Sequence, residues 1–141
     1  METKALSFDT GLVTYDLNGK IGLTFNPTDS AFVERLFNTF DELDKKQDQY
    51  RAEVENVDRR EVFNIARKRD AEMREMIDGA LGAPVCDAVF GGMNVYALAN
   101  GLPVWANLLL AVMDEIDTSF SREQKMTNTR IRKYSDKWIK K

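Results

Sequence analysis

Cys86 is the chain's only cysteine, and the chain has no histidine. Those two counts decide most of the chemistry on offer. A serine or cysteine nucleophile needs a neighbouring base, most often histidine, so His-based triads and imidazole acid–base steps are excluded. One thiol closes no internal disulfide, and a structural zinc site has no ligand set to draw on. Cys86 lies in the apolar run Val85-Cys86-Asp87-Ala88-Val89-Phe90 with no base beside it, and reads as a small buried hydrophobe. Asp114, Glu115 and Asp117 offer oxygen ligands to a cation, but no further acids follow at the spacing of a calcium loop, so they read as surface. Gly91-Gly92 is a turn between helices rather than a phosphate cradle, because neither the P-loop nor the dinucleotide pattern surrounds it. No cofactor is implied by any of these residues.

Charge gives two further candidates. From Lys125 to Lys141 seven basic residues face a single acid, Asp136, and Tyr134 and Trp138 stand among them. Basic residues interleaved with aromatics suit RNA or an anionic membrane. The plainer reading is a tail that frays, or docks onto acidic surface of its own or a partner chain. Ile131, Tyr134, Trp138 and Ile139 have the spacing of an amphipathic helix. Arg59-Arg60 and Arg67-Lys68-Arg69 are interleaved with Asp58, Glu61, Asp70, Glu72 and Glu75, which is the pattern of a solvated helix face with i,i+4 pairs. With a net charge of −3, nucleic acid is an unlikely partner.

The elements that must position these residues follow from periodicity. A chain of 141 residues suits a single domain, 1–141. Residues 1–10 carry little signal. Residues 12–25 read as a β-hairpin: Leu12 to Leu17 and Lys20 to Phe25 flank Asn18-Gly19, the pair that suits a type I′ turn. Val13, Tyr15 and Leu17 share one face, as do Ile21, Leu23 and Phe25. A lone hairpin is marginal in water, so it must pack on helices or pair through an edge.

Residues 28–120 read as a helical bundle. Thr28 or Asp29 caps the first helix. Leu36, Phe40, Leu43, Gln47, Tyr50, Val54 and Val57 then repeat with steps of four and three, a coiled-coil seam. Asp41, Glu42, Asp44, Lys45, Lys46, Asp48 and Arg51 fall on its outside. Such a seam fits an oligomer or partner helix, or a long helical hairpin closed within the domain, and its short length favours the hairpin. Asp58 with Glu61 resembles a capping box, so a second helix starts there and runs through Met73, Met76 and Ile77 to Gly79. One helix of ~50 residues is the alternative. Pro84 to Phe90 is a short helix, Asn94 to Ala99 another turn of helix ended at Asn100-Gly101, and Leu102-Pro103 opens the most apolar helix, which runs through Trp105 to Phe120. From Val89 to Met113 there is no charged residue. Its glycines, asparagines and Pro103 break up that run, so it is core rather than a membrane span. Residues 121–141 form a basic C-terminal tail or helix. The fold class is mainly α: an N-terminal β-hairpin followed by a helical bundle with a long helical hairpin.

From Phe25 onward the sequence resembles a family of small tailed-phage and prophage proteins encoded among tail genes, similar to tail assembly chaperones. The residues that carry the likeness are Phe25-Asn26-Pro27-Thr28-Asp29, Asp44-Lys45-Lys46-Gln47, the run from Ala71 to Gly79, and above all Val85 to Leu110 with Gly91-Gly92-Met93-Asn94-Val95-Tyr96-Ala97-Leu98-Ala99-Asn100-Gly101-Leu102-Pro103-Val104-Trp105. The resemblance implies a non-enzymatic protein of the bacterial host cytoplasm, with no metal and no catalytic residues. It implies a protein partner, the tape-measure or tail tube protein: the tape-measure protein would be kept soluble until tail tube protein polymerises around it. Candidate partner contacts are Phe32, Leu36, Phe40, Tyr50, Met73, Met76, Tyr134 and Trp138, with the hairpin edge; each also fits a core, which is the favoured place for Phe37 and Phe40. A homo-oligomer is a further expectation. The alternatives are a structural tail or head–tail component of the virion, and a phage-encoded inhibitor of a host or defence protein.

Overall fold

A pair of antiparallel helices of nearly equal length carries the rest of the chain. The computed structural model describes residues 1–116 and 118–138. Asp117 of the acidic cluster and Ile139, Lys140 and Lys141 of the basic tail lie outside the described residues. The order is β1 (Val13–Leu17), β2 (Ile21–Phe25), α1 (Ser30–Glu53), α2 (Arg59–Leu81), α3 (Val85–Phe90), β3 (Leu98–Ala99), β4 (Leu102–Pro103), α4 (Val104–Asp114), α5 (Ser119–Thr127) and α6 (Thr129–Ser135). The protein is therefore mainly helical behind an N-terminal antiparallel hairpin.

The first hairpin explains its own register. Leu17 C=O accepts from Lys20 N–H at 2.9 Å, closing a turn in which Asn18 and Gly19 have φ of 54° and 69°. That is the expected turn, but pairing resumes with Leu17 opposite Ile21, Tyr15 opposite Leu23 and Val13 opposite Phe25. Lys20 is thus an extra residue. Without it in the loop Leu17 would face Lys20, and the two apolar sets would point to opposite sides of the sheet. With it they coincide, burying Leu23 and Phe25, while Thr14 and Thr24 bond hydroxyl to hydroxyl at 2.7 Å on the wet side. Tyr15 and Phe32 both stack on Phe25, which ties the hairpin to α1.

Asp29 starts α1 by accepting from Ala31 N–H at 3.0 Å, and Asp58 starts α2 by accepting from Glu61 N–H at 2.9 Å. There are two helices, not one of about fifty residues, because that cap and the turn before it end α1 at Glu53. Gly82, at φ 72°, ends α2. The heptad seam closes inside the chain: Leu36, Phe40 and Leu43 are fully buried. Its polar member Gln47 has a reason to be there, since its Oε1 accepts from Trp105 Nε1 at 2.9 Å. Trp105 is itself fully buried, 5.3 Å from the Phe40 ring and 5.4 Å from the Tyr134 ring.

Four sequence expectations need correction. Asn94 to Ala99 is not a helical turn. Leu98-Ala99 pairs with Leu102-Pro103 around Asn100 (φ 56°) and Gly101 (φ 78°), a second Asn-Gly hairpin in miniature. The apolar helix α4 begins at Val104 and stops at Asp114, so Phe120 belongs to α5. Pro84 precedes α3 rather than entering it, and the first N–H groups of α3, those of Val85 and Cys86, are taken by the Asp78 carboxylate at 3.0 Å each. Asp44 is not on the outside of α1: it is fully buried. The basic C-terminal residues supply the physical reason. Arg130 Nη1 (2.8 Å), Lys133 Nζ (2.7 Å) and the Tyr134 hydroxyl (2.6 Å) all reach the Asp44 carboxylate from α6. The tail thus docks on acidic surface of its own chain, as one reading of its charge had it.

Candidate functional site

Two grooves open at the edge of the core. The first runs between the outward faces of α1 and α2 and encloses about 410 Å³. Arg35, Asn38, Thr39 and Glu42 come from α1, and Glu75, Met76, Gly79 and Ala80 from α2. The α1 set is spaced i, i+3, i+4, i+7 and the α2 set i, i+1, i+4, i+5, so each forms one stripe along its helix. The floor is low because Gly79 has no side chain: a Cβ there would meet nothing within 4 Å. Met76 supplies the apolar, adaptable part of the wall, and the charges of Arg35, Glu42 and Glu75 are mixed in sign.

The second groove encloses about 500 Å³ between the tip of the first hairpin, the end of α3 and α4. Leu17, Val89, Phe90, Met93, Val104 and Leu108 make it apolar, and Asp16, Asp114 and Glu115 make its rim acidic. Among the described residues no Lys or Arg lines it. Trp138 closes one side, with its Nε1 donating to Asp114 Oδ2 at 2.8 Å. Asn107 Nδ2 donates to the Ala99 carbonyl at 2.9 Å, while its buried Oδ1 has no hydrogen-bond partner.

Around both grooves, ion pairs fix the helices. Arg74 spans four groups: Asp70 at 3.0 Å, Asp87 at 2.8 Å, and the carbonyls of Gly91 and Met93 at 2.8 and 2.6 Å. Asp70 also accepts from Val95 N–H at 2.7 Å, and Asn94 Nδ2 donates to Ala66 C=O at 3.1 Å. The uncharged stretch after α3 is thereby strapped to α2, and Gly91-Gly92 is part of that strap. Arg69 joins α2 to α1 through Glu53 and pairs with Glu72 of its own helix, which in turn meets Lys46 of α1. The Arg69 hydrogen bond holds the Glu72 carboxyl below its usual range. Burial pushes the hydroxyl of Tyr96 well above a free phenol, and the ring stacks on Tyr50 at 4.4 Å. Burial and then the charge of Asp78 push the Cys86 thiol well above its usual range, so it has no nucleophilic character at neutral pH. No cluster of three or more metal-ligating side chains occurs among the described residues, and no described helix is long and apolar enough to cross a membrane.

The structure does not gather the eight residues expected as partner contacts. Phe32, Leu36, Phe40 and Met73 are core, and Tyr134 is buried on Asp44. A partner reaches them only if the helices part. Tyr50, Met76 and Trp138 are half-buried and separate: Tyr50 beside Tyr96, Met76 in the first groove, Trp138 in the second. Sequence reasoning missed Gly79 as a groove floor, reading it only as a helix stop. It also passed over Leu6 and Phe8, which are exposed ahead of the hairpin; their alternation along a short apolar–polar segment is the signal that was present.

The fold defines a class: a small, mainly helical protein with an N-terminal antiparallel hairpin. No family model matches the chain, and neither a curated protein nor a solved structure does.

Proposed function

We propose that the protein is a non-enzymatic phage tail assembly chaperone, acting in the bacterial host cytoplasm and holding the tape-measure protein soluble until tail tube protein polymerises around it. The observation that supports this is the open trough between α1 and α2, lined on the α2 side by Met76, Gly79 and Ala80. A tape-measure protein is long and helical, and its apolar stripes need cover before assembly. A helix-in-groove contact covers such a stripe with one turn-spaced set of anchors. The methionine adapts to varied side chains, and the glycine lets the partner's backbone come close. This combination suits a partner with many similar segments better than one with a single epitope.

Co-expression with the tape-measure protein of the same phage tests the reading. Soluble tape-measure protein should co-purify with the chaperone, and purified virions should lack the chaperone by mass spectrometry. Failure to co-purify with a folded chaperone would overturn the proposal. Stoichiometric chaperone in the virion would replace it with a structural tail or head–tail component.

A further inference from the structure

Phe63 stands on the outer side of α2 and is 58% accessible. Its neighbours on the helix surface, four and three residues before it and four after, are Arg59, Arg60 and Arg67, all exposed. The remaining neighbour, three residues on, is the small Ala66. Sequence spacing pairs these cations with interleaved acids, but in the fold those acids are engaged elsewhere. Asp58 caps α2 at the Glu61 N–H, Glu53 and Glu72 hold Arg69, and Asp70 holds Arg74 and the Val95 N–H. Glu61, two residues from Phe63, points to nearly the opposite side of the helix, and Glu55 lies in the turn before the cap. Among the described residues no carboxylate forms an ion pair with Arg59, Arg60 or Arg67; Arg67 bonds the amide oxygen of Asn64. The basic C-terminal segment, whose charge and aromatics also suit RNA, is the reverse case. Its Arg130 and Lys133 sit on Asp44, Tyr134 is buried, and Trp138 is bonded to Asp114.

An exposed aromatic ring among guanidinium groups joins two features of single-strand recognition: a face on which a base stacks, and planar forks that match phosphate oxygens in pairs. We propose that this stripe of α2 binds single-stranded nucleic acid. One base lies on the Phe63 ring, and the phosphates on either side of it are held by Arg59 or Arg60 and by Arg67. Arg60 and Arg67 are separated by roughly 10 Å along the helix axis, with Phe63 between them. The net charge of −3 does not oppose this. At physiological salt, charges farther than about 8 Å are largely screened, so a bound phosphate feels the adjacent arginines more than distant acids. A duplex offers phosphates but no free base to the ring. A membrane surface is a poorer match, since one large apolar side chain on the stripe gives little to bury among lipids. The stripe lies toward the opposite end of α2 from Met76 and Gly79, and the inference stands or falls apart from tape-measure binding.

Fluorescence anisotropy of a short labelled oligothymidylate, titrated with the full chain, gives the first reading. Wild type should bind, and log affinity should fall against log salt with a slope of roughly −1.4, for two phosphates at about 0.7 each. The triple variant Arg59→Gln, Arg60→Gln, Arg67→Gln should flatten that slope to near zero, and Phe63→Ala should weaken binding about tenfold. All four positions are exposed, so circular dichroism should not change. Phe63→Trp should keep the affinity, and the added tryptophan emission should be quenched as the base stacks, a signal that a merely structural role would not produce. Arg132→Gln with Lys137→Gln removes exposed charge from the C-terminal segment and should leave binding as it is. No binding by wild type would overturn the proposal, as would unquenched emission from the Phe63→Trp complex. Equal affinity for the duplex of the same length would remove the stacked base. Loss of binding in the C-terminal variant alone would move the site there. Displacement of the oligonucleotide by polyglutamate or by phosphatidylglycerol vesicles as readily as by unlabelled oligonucleotide would replace nucleic acid with an acidic protein or a membrane.

Discussion

Asp44 is a carboxylate with no exposure, held by a hydroxyl and two cations from α6. Burial alone would raise its pKa; the hydrogen bonds from Lys133, Tyr134 and Arg130 outweigh burial and hold it below the ordinary 3.8. A carboxylate whose folded pKa is depressed contributes stability that is complete above its unfolded value and is lost as pH falls through the folded one. Wild-type stability should therefore drop as pH falls below the ordinary carboxylate value of 3.8, and Asp44→Ala should remove that component from the profile. At neutral pH the same substitution leaves the Tyr134 hydroxyl buried without an acceptor and should cost about 2 to 4 kcal/mol in urea unfolding. An unchanged midpoint would mean that α6 is not clasped by this residue. Cys86 makes a second residue-scale prediction. Its buried, strongly raised thiol should react with a thiol reagent only as fast as the chain opens, and addition of denaturant should release it at once. Neither residue's environment was legible in the sequence to the same degree. Cys86 was, because its neighbours are apolar and no base stands near. Asp44 was not, because the groups that bury it lie 86 to 90 positions away and local spacing places it among the exposed charges of α1.

Within α2, two glycines three residues apart should respond with opposite sign. Gly79 is inside the helix and Gly82 caps it at φ 72°; neither would place a Cβ within 4 Å of another atom. Sterics are equal, so only the backbone decides. Gly79→Ala should stabilise by about 0.5 to 1 kcal/mol, and Gly82→Ala should destabilise by about 1 kcal/mol. Thermal unfolding of the two single variants reads the difference; equal shifts would contradict the placement of the helix end. Elements of this kind were the most legible part of the fold. Asn18-Gly19, Asp29 and Asp58 each announced a turn or cap, and the seam from Leu36 to Val57 announced an interhelical face. What local pattern could not supply was the choice between seam partners, since an intramolecular and an intermolecular partner need the same spacing. The miniature hairpin at Asn100-Gly101 was misread because strands of two residues are too short to show a period of two.

On the scale of the whole molecule, the core uses up most of what the sequence offers as contact residues and leaves two grooves and one arm. Phe40, Trp105 and Tyr134 meet ring to ring at the centre of packing; the sequence favoured a core place for Phe40 and for the Trp105 helix, while Tyr134 read as part of a basic tail. The surfaces that remain are defined by small residues, by gaps between stripes and by the register of distant elements, none of which is visible before the chain is folded. In the proposed chaperone, tape-measure binding depends on the low floor at Gly79. Replacing that glycine with tryptophan puts a bulky ring into the trough at a position where an added Cβ meets nothing within 4 Å. Co-purification of soluble tape-measure protein with wild type and with Gly79→Trp, both checked for the same circular dichroism, is the most direct measurement. Capture by wild type and at least a tenfold loss of capture by the variant, a difference of about 1.4 kcal/mol, is the predicted result. Equal capture by the two proteins, or none by wild type, would contradict it.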